Sequence, residues 1–148
     1  VEQAFPGVKG GLGIDRNLLG EKVFGNAEAL KKLEDILHPM VSQMREDFFV
    51  RAHEKQQDLV VLDVPLLFET GGEALCDYTV VVSAPAEIQR ERVLSRPGMT
   101  EEKFDHILMK QMPDHEKRQR ADFIIHTDQG LDHAENQVKI IIDTIRTK

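Results

Sequence analysis

The residue best placed to do chemistry in this sequence is Asp63, an acid set within "LVVLDVPLLFE", residues 59 to 69. It interrupts a nearly unbroken apolar run at its carboxyl end, the place where open α/β sheets bind ligands. A carboxylate there can hold Mg²⁺ beside a nucleotide phosphate, directly or through water. It can equally cap the turn that follows. A second constellation is basic: Arg90, Arg92 and Arg96, then Lys110, Lys117, Arg118 and Arg120. Arg92 and Arg96 are four positions apart, so on a helix they share a face and can clamp a polyphosphate or stack on a base. Glu87 and Glu91 lie on the same stretch, and ordinary surface ion pairs with them are the alternative.

Other residue types narrow the chemistry. None of the six histidines forms an i, i+4 pair with another, and Cys76 is the single cysteine, so a structural zinc site is not expected. His38 stands directly before Pro39, where a break in a helix would expose it to a ligand. No G-x-S-x-G occurs, which leaves serine hydrolysis without support. The glycines of "FPGVKGGLGID", residues 5 to 15, look like a phosphate cradle, but Ile14 and Asp15 follow Gly13 where a P-loop needs Lys-Ser or Lys-Thr. The dinucleotide alternative fails as well, because Gly11-Leu12-Gly13-Ile14-Asp15-Arg16 ends in arginine. A turn is the reading that remains.

These residues need a scaffold, and 148 positions suffice for one domain with a single core. A net charge of -7 argues against nucleic acid and against anionic membrane surfaces as partners. The lone cysteine excludes an internal disulfide and fits a reducing, cytoplasmic setting. No apolar run approaches the roughly 20 residues of a membrane helix. Val1 stands in place of an initiator methionine with no signal-like segment after it, so the sequence is read as beginning inside a longer chain.

The first third has helical periodicity. Asp15 or Asn17 can cap a short helix through Val23, and Asn26 can cap another in which Ala29, Leu30, Leu33, Ile36 and Leu37 recur at helical spacing. Pro39 is expected to break or kink that run before Val41, Met44, Phe48 and Ala52 continue it. Three apolar runs follow, and residues 59–64, 78–83 and 122–126 are expected as parallel strands. Helices are expected after Pro85 and after Gly130, the latter with Leu131, Ala134, Val138, Ile141, Ile142 and Ile145 on one face. Between Pro97 and Ala121 lies a charged segment with a good helix start at Thr100, either a mobile lid or a solvated helical hairpin. Strands alternating with helices give an α/β class.

Taken in order, "IDRNLLGEKVF", "LEDILHPMV", "LVVLDVPLLFETG", "DYTVVVSAP", "QRERVLSR" and "QMPDHEKRQRADFIIHT" resemble the dephospho-coenzyme A kinases, a family of P-loop kinases. The resemblance spans nearly the whole chain, and "DVPLLFE" with "HP" is specific to this family among P-loop kinases. It implies a P-loop NTPase-like parallel sheet with flanking helices, incomplete at the amino terminus. Residues 1–57 would form a helical substrate-binding subdomain, 58–98 with 121–148 the α/β core, and 99–120 the lid. The implied reaction moves the γ-phosphoryl group of ATP, with Mg²⁺, onto the ribose 3′-hydroxyl of dephospho-coenzyme A.

By the same likeness Arg16 and His38 face the dephospho-coenzyme A cleft, and Pro65, Leu66, Leu67 and Phe68 line its floor with Asp63 at the metal. Arg92, Arg96, Gln111 and Lys117 fall toward the nucleotide, and Thr127 stands beside the adenine where many members have asparagine. The P-loop, the first strand and the aspartate thought to act as base would precede Val1, so the 148 residues alone are expected to be inactive. Other readings are a non-catalytic module binding dephospho-coenzyme A or nucleotide, and a different nucleoside-phosphate kinase.

Overall fold

The computed structural model describes residues 1–147. Its chain falls into two compact units, one from Val1 to Leu62 and one from Asp63 onward.

The first unit opens with a tight turn held by Glu2, whose carboxylate accepts from the Gly7 and Val8 N–H groups at 2.8 and 3.1 Å. That turn drives Val8 fully out of solvent, against Phe5 and Leu33, with Leu19, Val23, Ala29 and Ile36 packed around them. Two short antiparallel strands follow, β1 (Lys9–Gly10) and β2 (Gly13–Ile14), with Lys9 opposite Ile14. The glycine-rich stretch is therefore a hairpin with Leu12 exposed at its tip, and Gly13 has the positive φ of 123° that a side chain would resist. Asp15 caps α1 (Arg16–Val23) by accepting from Asn17 and Leu18 N–H. Asn26 caps α2 (Ala27–Glu54) through Ala29 N–H at 3.0 Å.

At 28 residues α2 continues through Pro39, so of the expected break or kink the break does not occur. A proline removes one i to i−4 bond, here the one to the Asp35 carbonyl, and the helical residues on both sides keep the rest.

In the second unit, β3 (Val80–Ser83) and β4 (Phe123–His126) pair in parallel, Val80 opposite Phe123 and Ser83 opposite His126. Their register is set at the entry by side chains. Asp122 Oδ2 accepts from both Thr79 N–H and Thr79 Oγ1 at 2.8 Å, and Asp122 N–H returns a bond to Thr79 Oγ1 at 3.1 Å. The expected third strand is not formed: residues 59–64 join no ladder among the described residues, and Val61 and Val64 are exposed. An apolar run becomes a strand only where a neighbour takes its N–H and C=O groups.

Helix α3 (Ala86–Leu94) starts at Pro85, and α4 (Glu101–Leu108) is capped by Thr100 Oγ1 accepting from Lys103 N–H. Arg90 of α3 reaches Glu101 at 2.8 Å and lies over the ring of buried Phe104. A short helix, α5 (Asp114–Arg120), precedes β4, and α6 (Leu131–Arg146) follows it with Ile141 buried. The Gln137 side-chain amide bonds both His126 N–H and His126 C=O at 3.0 Å, joining α6 to the end of β4. No helix among the described residues is long and apolar enough to cross a membrane.

Candidate active site

The carboxyl ends of β3 and β4 bring together residues far apart in sequence. Thr127 N–H donates to Ser83 C=O at 3.0 Å, extending the ladder one residue beyond β4. Arg92, on the last turn of α3, donates from Nη1 to Thr127 Oγ1 at 2.9 Å and from Nη2 to Thr127 C=O at 2.7 Å. Both oxygens are neutral, so the guanidinium is fixed without losing its charge. Arg96 is exposed four residues on and has no ion-pair partner among the described residues. Nor does either arginine pair with Glu87 or Glu91 there, so the ordinary surface pairing weighed from the sequence is not what forms. On the other side of the strand end, buried Ser83 donates its hydroxyl to the Asp114 carboxylate, 2.9 Å from each oxygen. Asp114 also pairs with Arg118 at 2.9 Å.

A second cluster joins the turn after Asp63 to α5. Residues 65–71 close on themselves: Thr70 N–H and Oγ1 both reach Leu66 C=O, at 3.2 and 2.8 Å, and Gly72 N–H reaches Leu67 C=O at 2.8 Å. A Cβ on Gly72 would come within 2.9 Å of Leu67 Cδ1, so glycine lets the turn shut. Pro65 and Leu66 are exposed, Leu67 is half-buried, and Phe68 is buried with the Arg120 guanidinium 5.0 Å from its ring centre. Phe68, expected on the floor of a cleft, thus serves as a packing anchor for the turn.

Glu69 follows. Its Oε1 accepts from Lys117 Nζ and from Met112 N–H, both at 2.8 Å, and Glu73 pairs with Arg120. Burial pushes the Glu69 carboxyl up, but the Lys117 ammonium and the N–H groups of Glu69 and Met112 outweigh it, and the net shift is downward. Lys117, expected at the nucleotide, here has its ammonium on Glu69. Gln111, half-buried, is the residue before Met112.

Asp63 is exposed, and its carboxylate accepts no hydrogen bond from the following turn among the described residues. The capping role is therefore not what the structure displays. No group of three or more His, Cys, Asp or Glu able to hold a metal exists among the described residues. A lone exposed carboxylate still fits a Mg²⁺ ion that arrives with a nucleotide, since such ions take one or two carboxylates plus phosphate oxygens and water. In the first unit, Arg16 is the first residue of α1 and His38 lies inside α2, both exposed.

Glu69, Glu73, Ser83 and Asp114 escaped the reading of the sequence as site residues. Only the position of Glu69 directly after the apolar "LLF" offered a signal, and its partner Met112 lies 43 positions away.

Comparison with known proteins agrees with these features. The family described as dephospho-CoA kinase matches residues 7–133. The dephospho-CoA kinase of Mesorhizobium japonicum is 55% identical over 146 residues, covering 99% of this chain and 74% of its own length. That of Novosphingobium aromaticivorans is 53% identical over 148 residues, covering 100% of this chain and 73% of its own length. A crystal structure of a Thermus thermophilus protein superposes with a TM-score of 0.78 at 34% identity, over 97% of this chain and 73% of that one.

Proposed function

The chain belongs to the dephospho-CoA kinase family, and from that premise we propose that it phosphorylates the ribose 3′-hydroxyl of dephospho-coenzyme A, completing coenzyme A. The hydroxyl oxygen attacks the γ-phosphorus of ATP, the bond to the β,γ-bridging oxygen breaks, ADP leaves, and the hydroxyl proton is lost to a base. The observation that carries this reading is the Arg92–Thr127 pair at the carboxyl ends of two parallel strands, where open α/β sheets bind ligands.

The family works with ATP and, in general, a divalent metal; we assign Mg²⁺ and put Asp63 next to it. Bound there, the ion would neutralise charge on the phosphates. Arg92, Arg96 and Thr127 take the nucleotide side, with Gln111 and Lys117 from the segment before β4. By family likeness Arg16 and His38 of the first unit are assigned to dephospho-coenzyme A, as are Pro65, Leu66, Leu67 and Phe68 of the second. The setting is the cytoplasm, in keeping with a single free cysteine, Cys76.

The test uses the protein that carries these residues, assayed for ADP release and, by mass spectrometry, for coenzyme A. ATP consumption should depend on dephospho-coenzyme A and exceed that with adenosine 5′-monophosphate or adenosine by orders of magnitude. Equal or greater turnover with adenosine 5′-monophosphate would make it a different nucleoside-phosphate kinase, and dephospho-coenzyme A binding without ADP release would make it a binding module.

A further inference from the structure

Each of the cations of α5 meets a carboxylate of the chain: Lys117 meets Glu69, Arg118 meets Asp114, and Arg120 meets Glu73. These pairs are not equivalent. Lys117 and Glu69 side chains keep only 16% and 15% of their exposure, whereas Arg118 and Arg120 keep 41% and 44%. Ion pairs open to water contribute little, while removing one partner of a pair withdrawn from water strands the other charge. The Glu69 pair is therefore the ion pair most withdrawn from water, and it adds to the hold that buried Ser83 has on α5 through the Asp114 carboxylate.

On the Glu69 side a single atom makes both contacts. Glu69 Oε1 takes Lys117 Nζ, midway along α5, and Met112 N–H, two residues before α5 begins, both at 2.8 Å. One contact is on α5 and the other on the segment leading into it, so with the Ser83 bond to Asp114 the 112–120 stretch is held at three places. The backbone that carries Glu69 is held in turn, because Phe68 beside it is buried and the turn is closed by the Leu66 and Leu67 carbonyls.

We propose that Glu69 is a positioning residue for phosphoryl transfer: it locks the 65–71 turn to α5, holding Pro65, Leu66, Leu67 and Phe68 in register with Gln111 and Lys117 on the nucleotide side. This rests on the function proposed above. Displacement of such a pair by about 1 Å costs on the order of a hundredfold in rate even when no reacting group is touched.

The experiment compares Glu69→Ala, Glu69→Gln, Lys117→Met and the Glu69→Ala/Lys117→Met double variant in the protein that carries these residues. Steady-state kinetics with both substrates is read alongside amide hydrogen exchange. Glu69→Ala should lower kcat by on the order of ten- to a hundredfold. Exchange should quicken over residues 112–120 and stay at parental rates over 80–83 and 123–126. Glu69→Gln keeps an oxygen for both donors and should recover most of the loss. The double variant should be no worse than about twofold below the worse single variant, as coupled residues require. Parental kcat and KM in Glu69→Ala with only a lower Tm would overturn the proposal, as would faster exchange spread equally over both strands, single losses that multiply in the double variant, or a Gln variant as slow as Ala. A parental protein inactive on dephospho-coenzyme A would instead refute the proposed function, and the exchange data would still decide whether Glu69 holds α5.

Discussion

Replacing Arg92 by methionine keeps most of the side chain's apolar stem and removes two hydrogen bonds, to Thr127 Oγ1 at 2.9 Å and to Thr127 C=O at 2.7 Å. Buried bonds from a charged donor are worth about 1.5–3 kcal/mol each, and the exposure of Arg92 brings this down to about 1 kcal/mol each. The pair then amounts to about 2 kcal/mol, or roughly thirtyfold in an equilibrium or a rate. Thr127→Ala takes one of the two Arg92 bonds and leaves the one to the carbonyl, so about 1 kcal/mol and roughly fivefold in kcat/KM are expected; the 3.2 Å bond that the hydroxyl donates to Ser83 C=O is lost as well and should be read in stability. In kcat/KM the double variant should resemble Arg92→Met, because without the arginine the hydroxyl has no guanidinium to hold, whereas its bond to Ser83 C=O adds only to stability. The assay is kcat/KM for ATP at saturating dephospho-coenzyme A, with all three variants checked for parental circular dichroism. A Thr127→Ala loss equal to or larger than that of Arg92→Met would refute the reasoning, since the hydroxyl would then act on its own and not as half of the arginine's socket.

Three further outcomes follow from the same coordinates. Asp63→Asn should reduce kcat at least tenfold while dephospho-coenzyme A affinity, measured by calorimetry, stays within about twofold, because one carboxylate is removed from the proposed metal and nothing from the substrate floor; unchanged kcat would remove Asp63 from the site. The lowered pKa of Glu69 contributes stability that is fully present above the carboxyl's unfolded-state pKa and is lost as pH falls through the lower folded value. Urea midpoints measured from neutral pH into the acid range should therefore fall less steeply in Glu69→Gln than in the parent, and identical slopes would contradict the shift. Val8→Ala deletes two methyl groups from a side chain with no solvent exposure, and a loss of about 2 kcal/mol in the urea-derived unfolding free energy is expected; a loss under about 0.5 kcal/mol would mean the first unit repacks around the vacancy.

What could be read from the sequence divides by the distance over which residues act. Asp15, Asn26 and Thr100 each cap a helix through N–H groups two or three residues away, and all three were legible as caps. Strands β3 and β4 were legible as buried β-branched runs, though each is a residue or two shorter than expected. The run at 59–64 carries the same composition, yet pairing depends on a neighbour that composition cannot reveal, and none of the described strands supplies one. Of the break or kink expected at Pro39, the break does not occur, because the periodic residues on both sides keep one helix in spite of the missing bond. The site divides in the same way. Arg92 and Thr127 are 35 positions apart, and family likeness rather than spacing placed both at the nucleotide. Nothing local marks Glu69 as the partner of Met112 and Lys117, because that contact exists only once the turn and α5 have folded against each other.

The pattern of neutralised and free charge orders the candidate phosphate ligands in a way the basic residues alone could not. Within a chain of net charge -7, a cation that is already paired offers an incoming polyphosphate little, since binding must first break the existing pair. Every cation on α5 is in that condition. On α3 and just beyond it, Arg90 is engaged by Glu101, whereas Arg92 donates only to the neutral oxygens of Thr127. Its positive charge is oriented yet unspent, and Arg96 adds a second exposed charge that no carboxylate meets among the described residues. A guanidinium held rigidly by neutral acceptors loses less freedom on binding an anion than a free one and needs no pair broken. Arg92, with Arg96 past the end of α3 and so not on a shared helix face, is thus the stronger candidate for the first contact with the phosphates of ATP, and α5 contributes by holding its own charges against the 65–73 segment, which keeps that helix in place while the nucleotide binds.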